Sequence, residues 1–307
     1  MNQKLFKLFH ERNAFQRYLC RRWLFKLFQS CGFHITGNHF YELVPDTRLM
    51  AAKYSDAPRA LTGINWRFTE CEGEAVRLIK TYGPEYQKER GRFGFSETNN
   101  YYRGCDALTL FAFLRDLKPA KMIEIGQGSS TQIALAALDL NATETGRTCD
   151  LISIDPYPRL SQNQAPKGVN LAVFRQELQA VNMEPLLENC NFLFVDSSHV
   201  YKFGSDAEFE FTKIYPQLRP GTYVHLHDIY SPYHYPLDWA LREKRFWNEQ
   251  YFWENFLAFN GAFEITMPLQ LLMRQSATLG DALRALNLGP DFFDFDGRAM
   301  YFQRKQI

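Results

Sequence analysis

Glu124, Asp155, Asp196, His199, His227 and Asp228 are the side chains whose types and spacing suit chemistry. Each acid closes a short apolar run: Met122–Ile125 around Glu124, Leu151–Asp155, Phe192–Asp196 and Thr222–Asp228. A neutral imidazole titrates near neutral pH, so His199, three residues past Asp196, is a candidate general base for a hydroxyl proton. Asp196, His227 and Asp228 can instead hold Mg²⁺, which would acidify a hydroxyl by direct coordination. His227 and Asp228 are neighbours on one strand, and side chains alternate along a strand, so only one of them is expected to point squarely into a cleft. His225, two residues earlier, is expected to be a satisfied core histidine.

The elements that must position these groups alternate between strand and helix. Ile133–Leu140 reads as an Ala/Leu-rich helix after the first strand, and Val169–Phe174 as a strand after the second. Phe263–Met267 and Ala299–Gln303 are expected to add an antiparallel pair. Repeated strand–helix units predict an α/β, doubly wound, Rossmann-like and mostly parallel seven-stranded sheet, with ligands beyond the C-terminal strand ends. The first of these ends carries the turn Gly126-Gln-Gly-Ser-Ser130. Backbone N–H groups and a helix N-terminus meet a ligand at such a turn. Ser129, Ser130 and Thr131 are candidate caps of the following helix.

Two ligand classes use a turn of this kind. A dinucleotide site needs glycine at position 131, where threonine stands. S-adenosylmethionine (SAM) sites place an acid two residues before the first glycine, where Glu124 sits, and a carboxylate suits a cationic ligand better than a pyrophosphate. Ser130 replaces the last glycine of that pattern, and a plain tight turn is the alternative. On the SAM reading, Glu124, Gly126, Gly128, Ser129 and Ser130 cradle the cofactor and Asp155 accepts the ribose hydroxyls. Gln176 meets the adenine edge, and Asp196 borders cofactor and cation alike.

The 307 residues carry a net charge of +1, which gives no general argument for nucleic-acid binding. Six widely spaced cysteines without a Cys-x-x-Cys pair favour reduced thiols in a cytoplasm. No apolar run approaches a membrane span and no signal peptide is evident. Residues 1–30 are basic and amphipathic, with Lys4, Lys7, Arg12, Arg17, Arg21, Arg22 and Lys26 against Glu11 alone. Such a helix packs on the main domain or on a partner copy, or lies peripherally on the inner face of an anionic membrane. The expected division is an N-terminal helical extension and lid or packing region over 1–103, then the sheet domain over 104–307. Within it, Trp66–Tyr82 and Cys105–Leu117 are expected to be helical. Gly91–Asn100 has a mobile loop's composition and serves as a cover for the ligand or a plain connector. Trp239–Asn260 reads as one long helix whose interior rings are expected to be core, and the aromatic run after Asp228 as a rigid loop at the cleft mouth, suited to stacking on sugar rings or an aromatic acceptor.

The chain resembles the class I SAM-dependent methyltransferases of the type-24 methyltransferase-domain group. The resemblance rests on His39-Phe-Tyr with Pro45-Asp46, the Glu124–Thr131 turn, Ile154-Asp-Pro-Tyr-Pro158, and Phe194-Val-Asp-Ser-Ser-His199 with Gly204-Ser-Asp206. It continues in Val224-His-Leu-His-Asp228 with Tyr235-Pro236, and in Trp247-Asn-Glu-Gln-Tyr251 with Phe256-Leu-Ala-Phe-Asn260. It implies transfer of a methyl group to a hydroxyl of a glycan, a sugar-containing metabolite or a related small molecule, with a divalent metal assisting in several relatives. Those sugar methyltransferases hold the metal with carboxylates, and histidine at 227 departs from that pattern. A metal-dependent oxygenase and a SAM-fold binding protein without turnover stay open beside it.

Overall fold

The computed structural model describes residues 23–36, 42–289, Phe292 and 297–306. The basic residues between Lys4 and Arg22, and the His39-Phe-Tyr motif, lie outside them. Seven strands form one sheet in the order β3-β2-β1-β4-β5-β7-β6. They are β1 Lys121–Ile125, β2 Cys149–Ile154, β3 Val169–Phe174, β4 Phe192–Val195, β5 Tyr223–Leu226, β6 Phe263–Pro268 and β7 Met300–Arg304. The first five are parallel, and β7 enters antiparallel between β5 and β6. Apolar runs such as Met122-Ile123 and Phe192–Val195 are buried on both faces, as a parallel sheet between helical layers requires.

Chain order reverses beside β1: the chain runs outward through β2 to β3, then crosses back to β4 on the other flank. A crevice opens at such a switch point, beyond the carboxyl ends of the two diverging strands. It is framed here by Gly126, whose N–H donates to Ile154 O, and by Asp196, whose N–H donates to Ile125 O.

Two compact units divide the chain. One comprises residues 56–235 and 247–307, so that 56–103 share the unit of the sheet. The other comprises residues 1–55 and 236–246. In the latter, α1 (Phe25–Ser30) has no buried residue. Asp46 caps α2 (Thr47–Lys53) by accepting the Arg48 N–H. In the sheet unit, α3 (Phe68–Glu89) packs on α4 (Gly104–Leu117), which packs on α5 (Ser129–Thr145). Helix α4 is buried from Gly104 through Arg115, and Arg115 is held by Glu85, Asn141 and Glu144.

The segment after α3 is fastened. Glu97 accepts from Tyr86 Oη, Arg90 and the Gly104 N–H, so the polar Gly91–Asn100 stretch is tied at its centre to both flanking helices.

The single helix expected over Trp239–Asn260 is two: α6 (Leu237–Leu241) and α7 (Glu249–Leu257). The interval 242–248 contains Lys244 at a left-handed φ of 59°, which no continuous helix accommodates. The aromatic run after Asp228 is also corrected. Tyr230, Tyr233 and Tyr235 are buried and the loop is stitched to α7, because Gln250 accepts the Tyr230 N–H and donates to Tyr233 O. Among the described residues no helix is long and apolar enough to cross a membrane.

Candidate active site

The glycine turn joins β1 to α5, and its conformation has a steric cause. Gly126 has a φ of 85°, and a Cβ there would stand 2.0 Å from Asp196 O, so the ends of β1 and β4 touch only because this residue has no side chain. A Cβ on Gly128, by contrast, would meet nothing within 4 Å. The turn is tight against the sheet at one glycine and open at the next, as a backbone cradle for a ligand must be.

Glu124 is fully buried and both its oxygens are occupied. Thr131 Oγ1 lies 2.9 Å from each, Ser130 Oγ donates at 3.1 Å and Ser153 Oγ at 2.9 Å. Burial pushes its pKa up to about 7, against the pull of those hydroxyls. Ser130 and Thr131 donate their protons to Glu124, and Thr131 Oγ1 also accepts the Gly128 N–H and so caps the start of α5. Ser129 is the first residue of α5 and is half-buried.

Asp155 follows the last residue of β2. One oxygen accepts the Gln127 N–H at 2.8 Å and the other the Tyr157 N–H at 2.6 Å, which fixes the carboxylate at the strand end with acceptor capacity left. Gln176 is exposed two residues beyond β3.

A denser group of charges lies at the ends of β4 and β5. Donor atoms of Asp196, His227 and Asp228 all fall within 4.8 Å of one another. His227 Nδ1 is 3.3 Å from Asp196 Oδ1 and 3.7 Å from Asp228 Oδ2. The alternation that would have sent one of the two neighbours outward does not reach them. Strand β5 ends at Leu226, and Asp228 turns at a φ of 53°, which swings its carboxylate back beside His227. His225, still within the strand, is a core residue: it stacks on Phe194 and its Nε2 lies 3.1 Å from Tyr102 Oη. Burial lowers its pKa well below the usual value.

His199 joins the group from the loop after β4, with a left-handed φ of 59°. Its Nδ1 is 2.9 Å from Glu249 Oε2, and its Nε2 is 3.2 Å from Asp196 and 3.9 Å from Asp228. The loop is locked from both sides. His199 O accepts the N–H groups of Asn248 and Glu249, Tyr201 exchanges two hydrogen bonds with the Asn248 amide, and Trp247 packs on the imidazole at 4.3 Å. Ser198 donates to Asp206, which opens the short helical turn after the loop.

Burial opposes charge on both histidines, yet their acidic neighbours prevail. Asp228, Asp196 and Asp106 raise His227 to about 10, and Asp196 with Glu249 holds His199 well above its usual value. Burial also works against the Asp196 carboxylate, and His227 and His199 hold it well below the ordinary range all the same. These groups fit a hard dication: two carboxylates and one imidazole converge, and Asp228 Oδ1 is buried without a hydrogen bond among the described residues, facing Arg298 Nη1 at 3.5 Å. The glycine turn with Asp155 fits SAM on separate grounds, namely the open face at Gly128 and a carboxylate held at the next strand end.

Two residues of this site had no role in the sequence reading. Glu249 lies inside the quoted Trp247–Tyr251 block but bears on His199 only through a loop contact 50 positions away. Asp106 is an acid inside the apolar helix Cys105–Leu117, and that incongruity was the available signal.

Residues 123–229 match the family model described as a methyltransferase domain. An uncharacterized protein of Archaeoglobus fulgidus is 26% identical over 130 residues, covering 39% of this chain and 57% of that protein. The chain thus spans little more than half the length of the curated relative it matches. A solved apo structure of CmcI has a TM-score of 0.37 at 16% identity, covering 66% of this chain and 71% of its own. CmcI with magnesium and SAM has a TM-score of 0.36 at 16% identity, covering 85% and 96%.

Proposed function

We propose that this chain, whose residues 123–229 match a methyltransferase-domain family model, is a metal-assisted class I SAM-dependent O-methyltransferase acting on a hydroxyl of a glycan, a sugar-containing metabolite or a related small molecule. The observation that carries the reading is the meeting of Asp196, His227 and Asp228 beside the glycine turn, since Gly126 rests directly on the Asp196 carbonyl. Cofactor half and acceptor half then share one wall. When bound, SAM would supply an electrophilic methyl on a sulfonium, and a dication held by Asp196, His227 and Asp228 would supply acidification of the acceptor hydroxyl.

The chain's own residues do the rest. Asp155 accepts the ribose hydroxyls and the open face at Gly128 admits the cofactor, while Glu124 acts through the turn that it pins. Asp196, His227 and Asp228 hold the dication. His199 is the candidate base, positioned by Glu249. Asp196 and Glu249 favour its protonated form, and a cation held by Asp196 would remove one of those two influences, leaving the Glu249 pair to orient the ring. Tyr157 and Phe203 are 87% and 103% exposed after the ends of β2 and β4, and their rings are available to stack on a sugar face. Iron oxygenases of the facial-triad type use two histidines and one carboxylate, whereas this cluster has two carboxylates and one histidine.

Methyl transfer from radiolabelled SAM to a panel of sugars and glycosides tests the proposal. Transfer should vanish with EDTA and return with Mg²⁺ or Mn²⁺. His199→Ala should lose about 10²–10⁴-fold in rate with unchanged affinity for S-adenosylhomocysteine (SAH). SAH binding without transfer to any acceptor would favour a binding protein, and 2-oxoglutarate consumption an oxygenase.

A further inference from the structure

The second nitrogen of His227 faces a buried acid that lies far away in the chain. Asp106 sits in the first turn of α4 with no exposed surface. Its Oδ1 accepts the N–H groups of Arg298 at 2.8 Å and Ala299 at 3.0 Å. Its Oδ2 has no hydrogen-bond partner among the described residues, and neither does His227 Nε2. These two buried atoms stand 3.6 Å apart. Leaving either alone is costly, and one proton on Nε2 relieves both. In the neutral ring that proton leaves the lone pair on Nδ1, which is the atom directed at Asp196 and Asp228. Facing two carboxylates, Nδ1 is satisfied by a proton shared with Asp196 when the site is empty and by a cation when one lies among them.

We propose, resting on the dication reading above, that Asp106 is a positioning residue that commits His227 to bind the cation through Nδ1. The resulting nitrogen donor makes the site favour a first-row transition dication over Mg²⁺. The physical reasons are general. An outer carboxylate fixes the tautomer of a ligating histidine and raises its basicity. Imidazole suits transition metals, whereas Mg²⁺ keeps to oxygen ligands and its own waters. The groups around the ring are Asp106 from α4, Asp196 from the end of β4, Asp228 beside it, and the Tyr102 ring at 4.8 Å.

The test is Mn²⁺ titration of the EDTA-stripped full chain, read by electron paramagnetic resonance, with Mg²⁺ as competitor. Pulsed spectra of the bound ion should show ¹⁴N modulation from a directly bonded imidazole, and Mg²⁺ should displace Mn²⁺ only in large excess. His227→Glu should lose the ¹⁴N signal and narrow the gap between the two cations. Asp106→Asn keeps the acceptor for Arg298 and Ala299 but presents an amide N–H to Nε2, which drives the ring proton to Nδ1. It should weaken Mn²⁺ binding about 10–100-fold while the metal-free melting temperature stays near that of the wild type. If that variant does not fold, the wild type and His227→Glu still decide the matter. Bound Mn²⁺ without ¹⁴N modulation, an unchanged cation preference in His227→Glu, or a folded Asp106→Asn with undiminished Mn²⁺ affinity overturns the assignment. Absence of binding by either cation overturns the dication site itself.

Discussion

Glu124 hands both carboxylate oxygens to the hydroxyls of Ser130, Thr131 and Ser153, whereas the acids ending β4 and β5 face histidine nitrogens at 3.2–3.9 Å. Nearby, Asp106 Oδ2, His227 Nε2 and Asp228 Oδ1 have no hydrogen-bond partners among the described residues. One half of the cleft is thus closed on itself, and the other is left incomplete. A turn whose polar groups are internally satisfied can recognise a ligand by shape and backbone, and it holds that shape before the ligand arrives. A cluster of closely set acids and imidazoles whose contacts run to 3.2–3.9 Å has capacity left for what it binds. Under the proposed function the rigid half would serve the cofactor, and the half with looser contacts the cation and acceptor.

The comparison breaks most sharply at the two glycines. Gly126→Ala adds a Cβ 2.0 Å from the Asp196 carbonyl at a left-handed φ, and should cost roughly 2–5 kcal/mol of stability. Gly128→Ala meets no atom within 4 Å, and should leave stability within about 1 kcal/mol while reducing SAH affinity. Chemical denaturation beside calorimetric titration separates the two. Equal effects on stability would remove the steric account of the turn.

A second prediction concerns pH. The Glu124 carboxyl binds its proton more tightly in the fold than the ordinary 4.5 would allow, with a pKa of about 7. Below pH 4.5 it is protonated in both states and contributes no pH dependence. As pH rises through the window to about 7 the folded state must surrender a proton that it favours, so stability falls, by on the order of 3 kcal/mol. Glu124→Gln keeps a neutral side chain there and should flatten this loss. Melting temperatures of both proteins between pH 5 and pH 8 would show the wild type losing ground to the variant. Parallel curves would mean that Glu124 is ionised throughout.

Most of the strand framework was legible because buried parallel strands announce themselves as short apolar runs between turn residues. Expected Val169–Phe174 is β3 itself, and Phe192–Asp196 overshoots β4 by one residue. The grouping of Asp196, His199, His227 and Asp228 was legible too, since acids at consecutive strand ends must share one edge of a parallel sheet. What stayed hidden was long-range or local in the wrong way. Asp106 meets His227 across 121 positions, and no periodicity encodes that pairing. The side-by-side placement of His227 and Asp228 contradicts strand alternation because the strand has ended one residue earlier. The break between α6 and α7 follows from left-handed Lys244, a residue type that carries no turn signal. The buried tyrosines after Asp228 were misread as a sugar platform because an aromatic loop looks the same from its sequence whether it faces solvent or α7.

The division of labour is tested most directly by calorimetric titration of SAH into three proteins in the presence of EDTA: the wild type, Asp155→Ala and Asp228→Ala. The wild type should bind, Asp155→Ala should lose about 1–3 kcal/mol through missing charge-assisted hydrogen bonds, and Asp228→Ala should bind as the wild type does. No SAH binding by the wild type, or equal losses in the two variants, would contradict the account.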